Sequence, residues 1–340
     1  MSQASETSGA PAPSTERLMA AAQELAAALD GIVLGQRAAV ETLVVAYMAG
    51  GHALLEGVPG LGKTLLARAF AASLGARFSR VQFTPDLMPA DVLGTNVYDV
   101  ATGSFRLLRG PVFTEILMAD EINRTPPKTQ AALLEAMQER QVTLDGTRLA
   151  LEPGFFVIAT QNPIEFEGVY PLPEAQLDRF LVRIEMGLPA PEAELDLYRQ
   201  AVAGTLAGFG DYGGELPGAV LQPGEALALR QAARRVHVAE ELLAYLAALA
   251  AGVRLSPQVD LAVSPRAALA LLEASRAGAL LEGRDFLTPD DLKRFLVPCW
   301  AHRVLLTPES ELEGFTPRQV LEAVAAAVPV PHGAAGPSGP

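Results

Sequence analysis

The chain has 340 residues, half of them hydrophobic, and a net charge of −13. That length exceeds what one core usually supports, so two packed units are expected. A surface this acidic, without a Lys/Arg run, argues against nucleic-acid binding. The single cysteine, Cys299, excludes an intrachain disulfide and reads as a buried, inert thiol.

Residues 1–15 are rich in Ser, Ala, Pro, Thr and Gly and read as a disordered tail. They lack the basic start and apolar stretch of a secretory signal. Leu18, Met19, Ala22, Leu25, Ala26 and Leu29 recur at helical spacing, so a helix is expected over Thr15–Leu29. Gly31-Ile32-Val33-Leu34-Gly35-Gln36 is a short apolar turn before a second helix, Ala38–Met48. The turn either walls an adenine pocket or is a plain connection.

His52–Glu56 reads as a buried strand. It leads into Gly57-Val58-Pro59-Gly60-Leu61-Gly62-Lys63-Thr64, which fits the phosphate-binding template G-x-x-x-x-G-K-[ST] at every fixed position. Leu65–Leu74 then reads as a helix that Gly75 closes. Strand, glycine loop and helix follow in the order the chemistry needs. Glycines let backbone N–H groups curl around phosphate oxygens. The helix N-terminus adds partial positive charge. In this reading Lys63 reaches the β- and γ-phosphates, Thr64 ligates Mg²⁺, and Leu65 completes the nucleotide-binding run.

Phe78–Phe83 is a second strand, and Asp86–Gly94 a short helix and turn. Thr95–Arg109 alternates as a hairpin with Ala101-Thr102-Gly103-Ser104 at its tip. Next, Thr114-Glu115-Ile116-Leu117-Met118-Ala119 is an apolar strand running into Asp120-Glu121. An apolar strand ending in paired acids is the Walker B pattern. Asp120 holds Mg²⁺ through its water shell while Glu121 orients the attacking water. Solvated acids at a strand end are the alternative.

Pro127–Glu139 is an amphipathic helix, and Gln141–Leu151 a hairpin turned at Asp145-Gly146. Phe155–Thr160 is a buried strand that runs into Gln161-Asn162-Pro163. Open α/β sheets place ligand contacts at such strand ends. Asn162 therefore orients water or γ-phosphate, or else starts an Asn-Pro turn. A loop over 164–173 precedes the helical turn at Pro173–Phe180, and Leu181–Met186 is the last strand. The alternation of strands and helices argues for a parallel sheet covered on both faces.

Gly187-Leu188-Pro189-Ala190-Pro191 reads as a linker. Beyond it helical patterns occupy roughly 192–206, 223–236, 239–252, 265–281 and 288–303, with no convincing strand. Thr288-Pro289-Asp290-Asp291 is a strong helix start. The plan is a tail at 1–15, an α/β nucleotide-binding core at 16–188, an all-helical domain at 189–327 and a tail at 328–340. The apolar helical run Leu242–Val253 is shorter than the roughly 20 residues a bilayer needs, so no membrane span and a soluble cytoplasmic protein are expected. His52, His237, His302 and His332 show no ligand spacing, and the metal expected is nucleotide-bound Mg²⁺ alone.

Five signals stand in order: Gly57–Thr64, Asp120-Glu121, Asn162, Arg179, and Ser264-Pro265-Arg266 in the helical domain. That order resembles the AAA+ ATPases, where the elements are called Walker A, Walker B, sensor 1, arginine finger and sensor 2. The hairpins at 95–109 and 141–151 are similar to those of the superclade with a helix-2 insert and a pre-sensor-1 hairpin. That group includes the MCM helicases, the magnesium-chelatase ATPase subunit and the MoxR family. The wording Asn162-Pro163-Ile164-Glu165 through Tyr170-Pro171-Leu172-Pro173-Glu174-Ala175-Gln176-Leu177-Asp178-Arg179-Phe180 is most similar to MoxR. The likeness runs from about 17 to 325.

The resemblance implies a five-stranded sheet in the order 5-1-4-3-2 with a helical lid. It implies a ring, usually hexameric, with ATP and Mg²⁺ at subunit interfaces. It also implies a chaperone-like ATPase that acts on protein clients, often with a partner carrying a von Willebrand factor A domain. By family position Arg179 is supplied to the neighbour's γ-phosphate. A salt bridge to Asp178 or a nearby acid is its other reading. Arg266 reads the phosphate of its own or a neighbour's ATP, or is a helix-surface arginine. Arg124 faces the interface or caps a strand end, and Asn123 is placed to hold Glu121 off the water. A magnesium-chelatase-like subunit would differ in client rather than chemistry. An MCM-like motor is disfavoured, because the tips at Asp99–Ser104 and Asp145–Thr147 have only Arg106 and Arg148 nearby.

Overall fold

The computed structural model describes residues 13–162, 168–207 and 215–331. The outer parts of both expected tails, and residues 163–167 of the loop after Asn162, lie outside the described residues.

In chain order the first unit holds α1 (Thr15–Asp30), α2 (Arg37–Met48), β1 (Ala53–Glu56), α3 (Lys63–Leu74), β2 (Phe78–Gln82) and α4 (Pro89–Leu93). The hairpin β3 (Gly94–Asp99) and β4 (Ser104–Arg109) follows, then β5 (Ile116–Asp120) and α5 (Pro127–Glu139). A second hairpin, β6 (Gln141–Leu144) and β7 (Thr147–Ala150), precedes β8 (Phe156–Gln161), α6 (Glu174–Leu177) and β9 (Val182–Glu185).

Five of these strands make one parallel sheet in the order β2-β5-β8-β1-β9. Counted among themselves they read 5-1-4-3-2, as the resemblance implies. The central strands are apolar almost throughout because both faces are covered. On one face α1, α2 and α3 pack on β1 and β8, where Tyr47 meets Phe70 and Phe156 edge-on. On the other, Leu133, Leu134 and Met137 of α5 pack against Leu54, Leu117 and Val157. Parallel pairing brings every strand's C-terminal end to one edge, where Gln82 lies opposite Asp120 and Glu56 opposite Gln161.

Both hairpins project from the sheet. The second turns at Asp145 and Gly146, whose φ values of 46° and 79° suit a two-residue turn. Asn96 Nδ2 donates to Asp145 Oδ2 at 2.7 Å and ties one hairpin to the other.

The second unit holds α7 (Pro191–Ala203), α8 (Glu225–Ala233), α9 (Glu240–Leu255), β10 (Val259–Leu261), α10 (Pro265–Leu281) and α11 (Pro289–Trp300). It ends with β11 (Leu305–Leu306), α12 (Pro308–Leu312) and α13 (Pro317–Ala327). It is helical apart from the antiparallel pair β10–β11, which is too short to leave an alternating pattern in sequence. The Thr288 start forms a capping box with Asp291. Trp300 Nε1 donates to Ala267 O at 2.8 Å and knits α11 to α10. The apolar core continues from α1–α3 into α8–α11 without a break. Among the described residues no helix is long and apolar enough to cross a membrane.

Candidate active site

The glycine loop joins β1 to α3 at the C-terminal edge of the sheet. Gly60 and Gly62 sit at φ 89° and 84°, where a side chain would strain the backbone. Gly62 caps α3, so the loop's N–H groups and the helix N-terminus converge on one space. Lys63 opens the helix, and its ammonium folds back to Gly57 O at 2.5 Å and Gln161 O at 3.4 Å. The apolar turn at 31–36 lies beside the loop: a Cβ on Gly62 would meet Val33 Cγ1 at 3.6 Å. Gln36 Nε2 donates to Gly187 O at 2.7 Å, which joins that turn to the linker.

Asp120 ends β5 and is buried. Thr160 Oγ1 donates to its Oδ1 at 2.6 Å, and Arg80 donates to its Oδ2 at 2.6 and 3.1 Å. The same Thr160 oxygen accepts from Glu121 N at 2.8 Å, so one hydroxyl on β8 places both acids. Glu121 itself has φ 56° and ψ 50°, a left-handed conformation that costs a non-glycine residue about 1 kcal/mol or more. That twist turns its side chain out of the strand line. Its Oε2 accepts from Gln82 Nε2 at 2.7 Å and from Arg124 Nη1 at 3.1 Å. Asn123 is not a partner of Glu121; its carbonyl accepts from Tyr170 N at 2.7 Å. Asn162 is buried and lines the same cleft as Gly60, Lys63, Thr64, Asp120 and Glu121.

Gln82, Thr160 and Arg80 are functional neighbours that sequence reasoning missed. Each is an ordinary polar residue at or near a strand end, and only the register of β2, β5 and β8 brings them to the acids.

Arg179 and Arg266 lie elsewhere. Both line a cleft with Gly50, Gly51 and His52, which precede β1 at the opposite edge of the sheet. The strands run between this edge and the glycine loop, so neither arginine is brought to the loop of its own chain. Arg179 donates to Gln138 Oε1 and to Leu134 O of α5. Asp178 is engaged by Arg303 at 2.7 Å and Arg266 at 3.8 Å instead. Among the described residues no carboxylate lies within ion-pair distance of Arg179.

His52 and His302 serve packing, while His332 lies outside the described residues. His52 Nδ1 accepts from Val157 N at 3.0 Å, so Nε2 carries the proton toward Met137 O at 3.2 Å. Burial, helped by the charge of Arg140, depresses its pKa to about 3. Burial likewise holds His302 well below the usual range and pushes the Cys299 thiol up to about 12. Glu56, just before the loop, is raised by burial against the pull of Arg183.

The donor set at the glycine loop suits a nucleotide with a hard divalent ion. Backbone N–H groups and Lys63 answer phosphate, while Thr64 and Asp120 offer oxygen. A larger cavity of about 650 Å³ beside α1, α2 and α11 does not, because its arginines are already matched. There Arg37 pairs with Glu41, and Arg294 with Glu41 and Glu282.

Residues 52–182 match the family model described as the ATPase family associated with various cellular activities (AAA). Residues 251–324 match the AAA lid domain. The chain is 42% identical to an uncharacterized protein, YeaC, of Bacillus subtilis, over 89% of this chain and 92% of that protein. It is 40% identical to Chaperone MoxR1 of Mycobacterium tuberculosis, over 88% and 80%. It is 34% identical to Protein MoxR of Paracoccus denitrificans, over 90% and 95%. The crystal structure of a candidate ATPase from Cytophaga hutchinsonii superposes with a TM-score of 0.83 at 36% identity, covering 93% of this chain and 97% of that one.

Proposed function

We propose that this chain, which belongs to the MoxR family of AAA+ ATPases, hydrolyses ATP between the subunits of a ring and uses the turnover to remodel or mature a protein client. The observation that carries the reading is the pair Asp120-Glu121, set by the one hydroxyl of Thr160 at the mouth of the glycine loop. An acid that merely faced solvent at a strand end would not need a strained backbone and two partners, one neutral and one cationic, to aim it.

The division of labour follows from the geometry. The loop N–H groups of Gly57–Gly62 and the Lys63 ammonium bind the phosphates, and the Val33 turn beside Gly62 is the wall proposed for the adenine. Mg²⁺, when bound, neutralises charge on the β- and γ-phosphates; Thr64 and Asp120 are the residues that would hold it. Glu121 orients the attacking water and takes its proton once it leaves Gln82 and Arg124. Asn162 lies where an amide can hold that water or a γ-oxygen. The cleft measures about 290 Å³, at the small end of ligand sites, which run from about 300 Å³ upward. Arg179, which has no carboxylate partner among the described residues, and Arg266 beside it are the groups a neighbour would offer.

A hexameric ring, Mg²⁺ dependence, a von Willebrand factor A partner and a cytoplasmic location are proposed on the strength of the family resemblance. The name of the mycobacterial relative, a chaperone, supports the protein client. Glu121→Gln tests the central claim. It is expected to bind ATP as the parent does and to lose turnover by about a hundredfold or more. Hydrolysis at the parental rate would sink the role given to Glu121. A pull-down of the native complex tests the partner, and recovery of no von Willebrand factor A protein would count against it.

A further inference from the structure

We propose that Asp178 is a positioning residue for the arginine finger, through which the lid grips the segment that carries Arg179. The proposal rests on the reading of Arg179 as a residue supplied to the neighbouring site.

Arg303 ends the 3-10 turn Ala301–Arg303 that follows α11, with its side chain only 5% exposed. Its Nε donates to Asp178 Oδ1 at 2.7 Å. Its Nη2 donates to Asp178 O at 3.1 Å and to Phe180 O at 2.7 Å. Its Nη1 reaches Leu181 O at 3.3 Å and Cys299 O at 2.5 Å. One planar fork thus holds the backbone on both sides of residue 179. His302 Nε2, from the same turn, adds a bond to Phe180 O at 3.1 Å. Arg266, at the start of α10, meets the other oxygen of Asp178 at 3.8 Å. The finger's peptide segment is therefore bound to two lid helices.

The finger's own side chain is held differently. Its guanidinium contacts an amide and a carbonyl of α5, both neutral, and its Nε has no partner among the described residues. Neutral contacts release a cation more readily than a carboxylate does. Asp178 draws Arg303 and Arg266 to itself and leaves Arg179 without a carboxylate among the described residues, so the finger moves with the lid while its charge stays available. Without the Asp178 anion, two arginines lose their shared partner beside the finger, and its aim is lost.

The test uses full-length rings assembled from two variants. Lys63→Ala supplies subunits with a dead loop and an intact finger. Asp178→Asn, nearly isosteric and on a residue whose side chain is 27% exposed, is mixed with it in equal amounts. Arg179→Ala mixed with Lys63→Ala is the control. Asp178→Asn rings alone are expected to bind a fluorescent ATP analogue as the parent does, and to turn over at least about tenfold more slowly. Random mixing pairs an intact loop with an intact finger at about a quarter of the interfaces of a head-to-tail ring, so turnover should rise toward that fraction. Arg303→Lys, which keeps the cation but loses the fork, should behave as Asp178→Asn does.

Regain with Arg179→Ala but not with Asp178→Asn would overturn the proposal, since Asp178 would then serve its own site or the fold. Undiminished turnover in Asp178→Asn, or loss of its thermal transition, would overturn it too. No regain in the Arg179→Ala control would instead remove the reading on which the proposal stands.

Discussion

Thr160 is a single hydroxyl doing two jobs. It donates to Asp120 and accepts from the Glu121 amide, so both acids take their places from one oxygen. Thr160→Val keeps the shape and removes the hydroxyl. It should destabilise the fold by about 2 kcal/mol, because two buried groups lose a partner. Turnover should fall by about tenfold or more while ATP binding persists, as for any loss of aim at the reacting atoms. Steady-state hydrolysis and thermal unfolding check this; an unchanged turnover would mean that Glu121 holds its left-handed twist without help. His52 makes a second prediction at this scale. Its folded pKa is about 3 against an ordinary 6.5, so the unfolded chain binds the proton that the folded chain refuses. Stability therefore falls as pH drops below 6.5, by about 1.4 kcal/mol per unit, and His302 adds a similar slope. Above pH 4.5 carboxylates such as Glu225, held down by Arg17, do not enter, because their contribution is lost only below that value. His52→Gln should roughly halve the slope of unfolding free energy between pH 6.5 and 5. An identical slope would assign the proton uptake to other groups.

At the scale of elements, the strand ends do the placing and α11 does the holding. Five parallel strands finish on one edge, and that edge carries the loop, Asp120, Gln82 and Thr160. The helix α11 starts at a capping box and ends in the turn that grips residues 178–181. Its start is fastened by Asp291, a nearly buried carboxylate that accepts from Thr288 N, Thr288 Oγ1 and both Nη atoms of Arg284. Asp291→Ala leaves that guanidinium half-matched and the capping box half-made, at a cost of about 3 kcal/mol. A drop in melting temperature of several degrees is expected, with the ATP site intact in binding assays. A variant that melts with the parent would show that the cap is redundant. The DG turn and the helix start at Thr288-Pro289 were legible because each is a local choice of a few residues. The pair β10–β11 was not, since segments of three and two residues carry no period.

In the reading proposed above, the whole molecule is one side of an interface. The glycine-loop edge and the arginine edge lie at opposite ends of the strands, so in the proposed reading a single chain carries two half-sites rather than one whole one. A ring should therefore be needed for turnover. In light scattering, Glu121→Gln with ATP and Mg²⁺ should run as a closed oligomer, and dilution of the parent below its assembly range should reduce specific activity. Specific activity that is independent of concentration, in a chain that stays monomeric, would contradict shared sites.

Residue order alone determined the strand–loop–helix, the paired acids and both hairpins, while the sheet order came with the family resemblance that those motifs carry. Each motif rests on neighbours in sequence: a glycine pattern, an apolar run that ends in charge, a two-residue turn. Tertiary structure decided the rest. Asn123 looked like the partner of Glu121 because it is two residues away. Gln82, 39 residues distant, holds that place because parallel pairing puts the end of β2 beside the end of β5. Asp178 looked like the partner of Arg179 because it is adjacent, yet it belongs to Arg303, 125 residues on. A hydrogen bond needs two groups within about 3 Å and aligned. Across strands and helices that condition is met by register and packing, which one residue's neighbours in sequence do not encode.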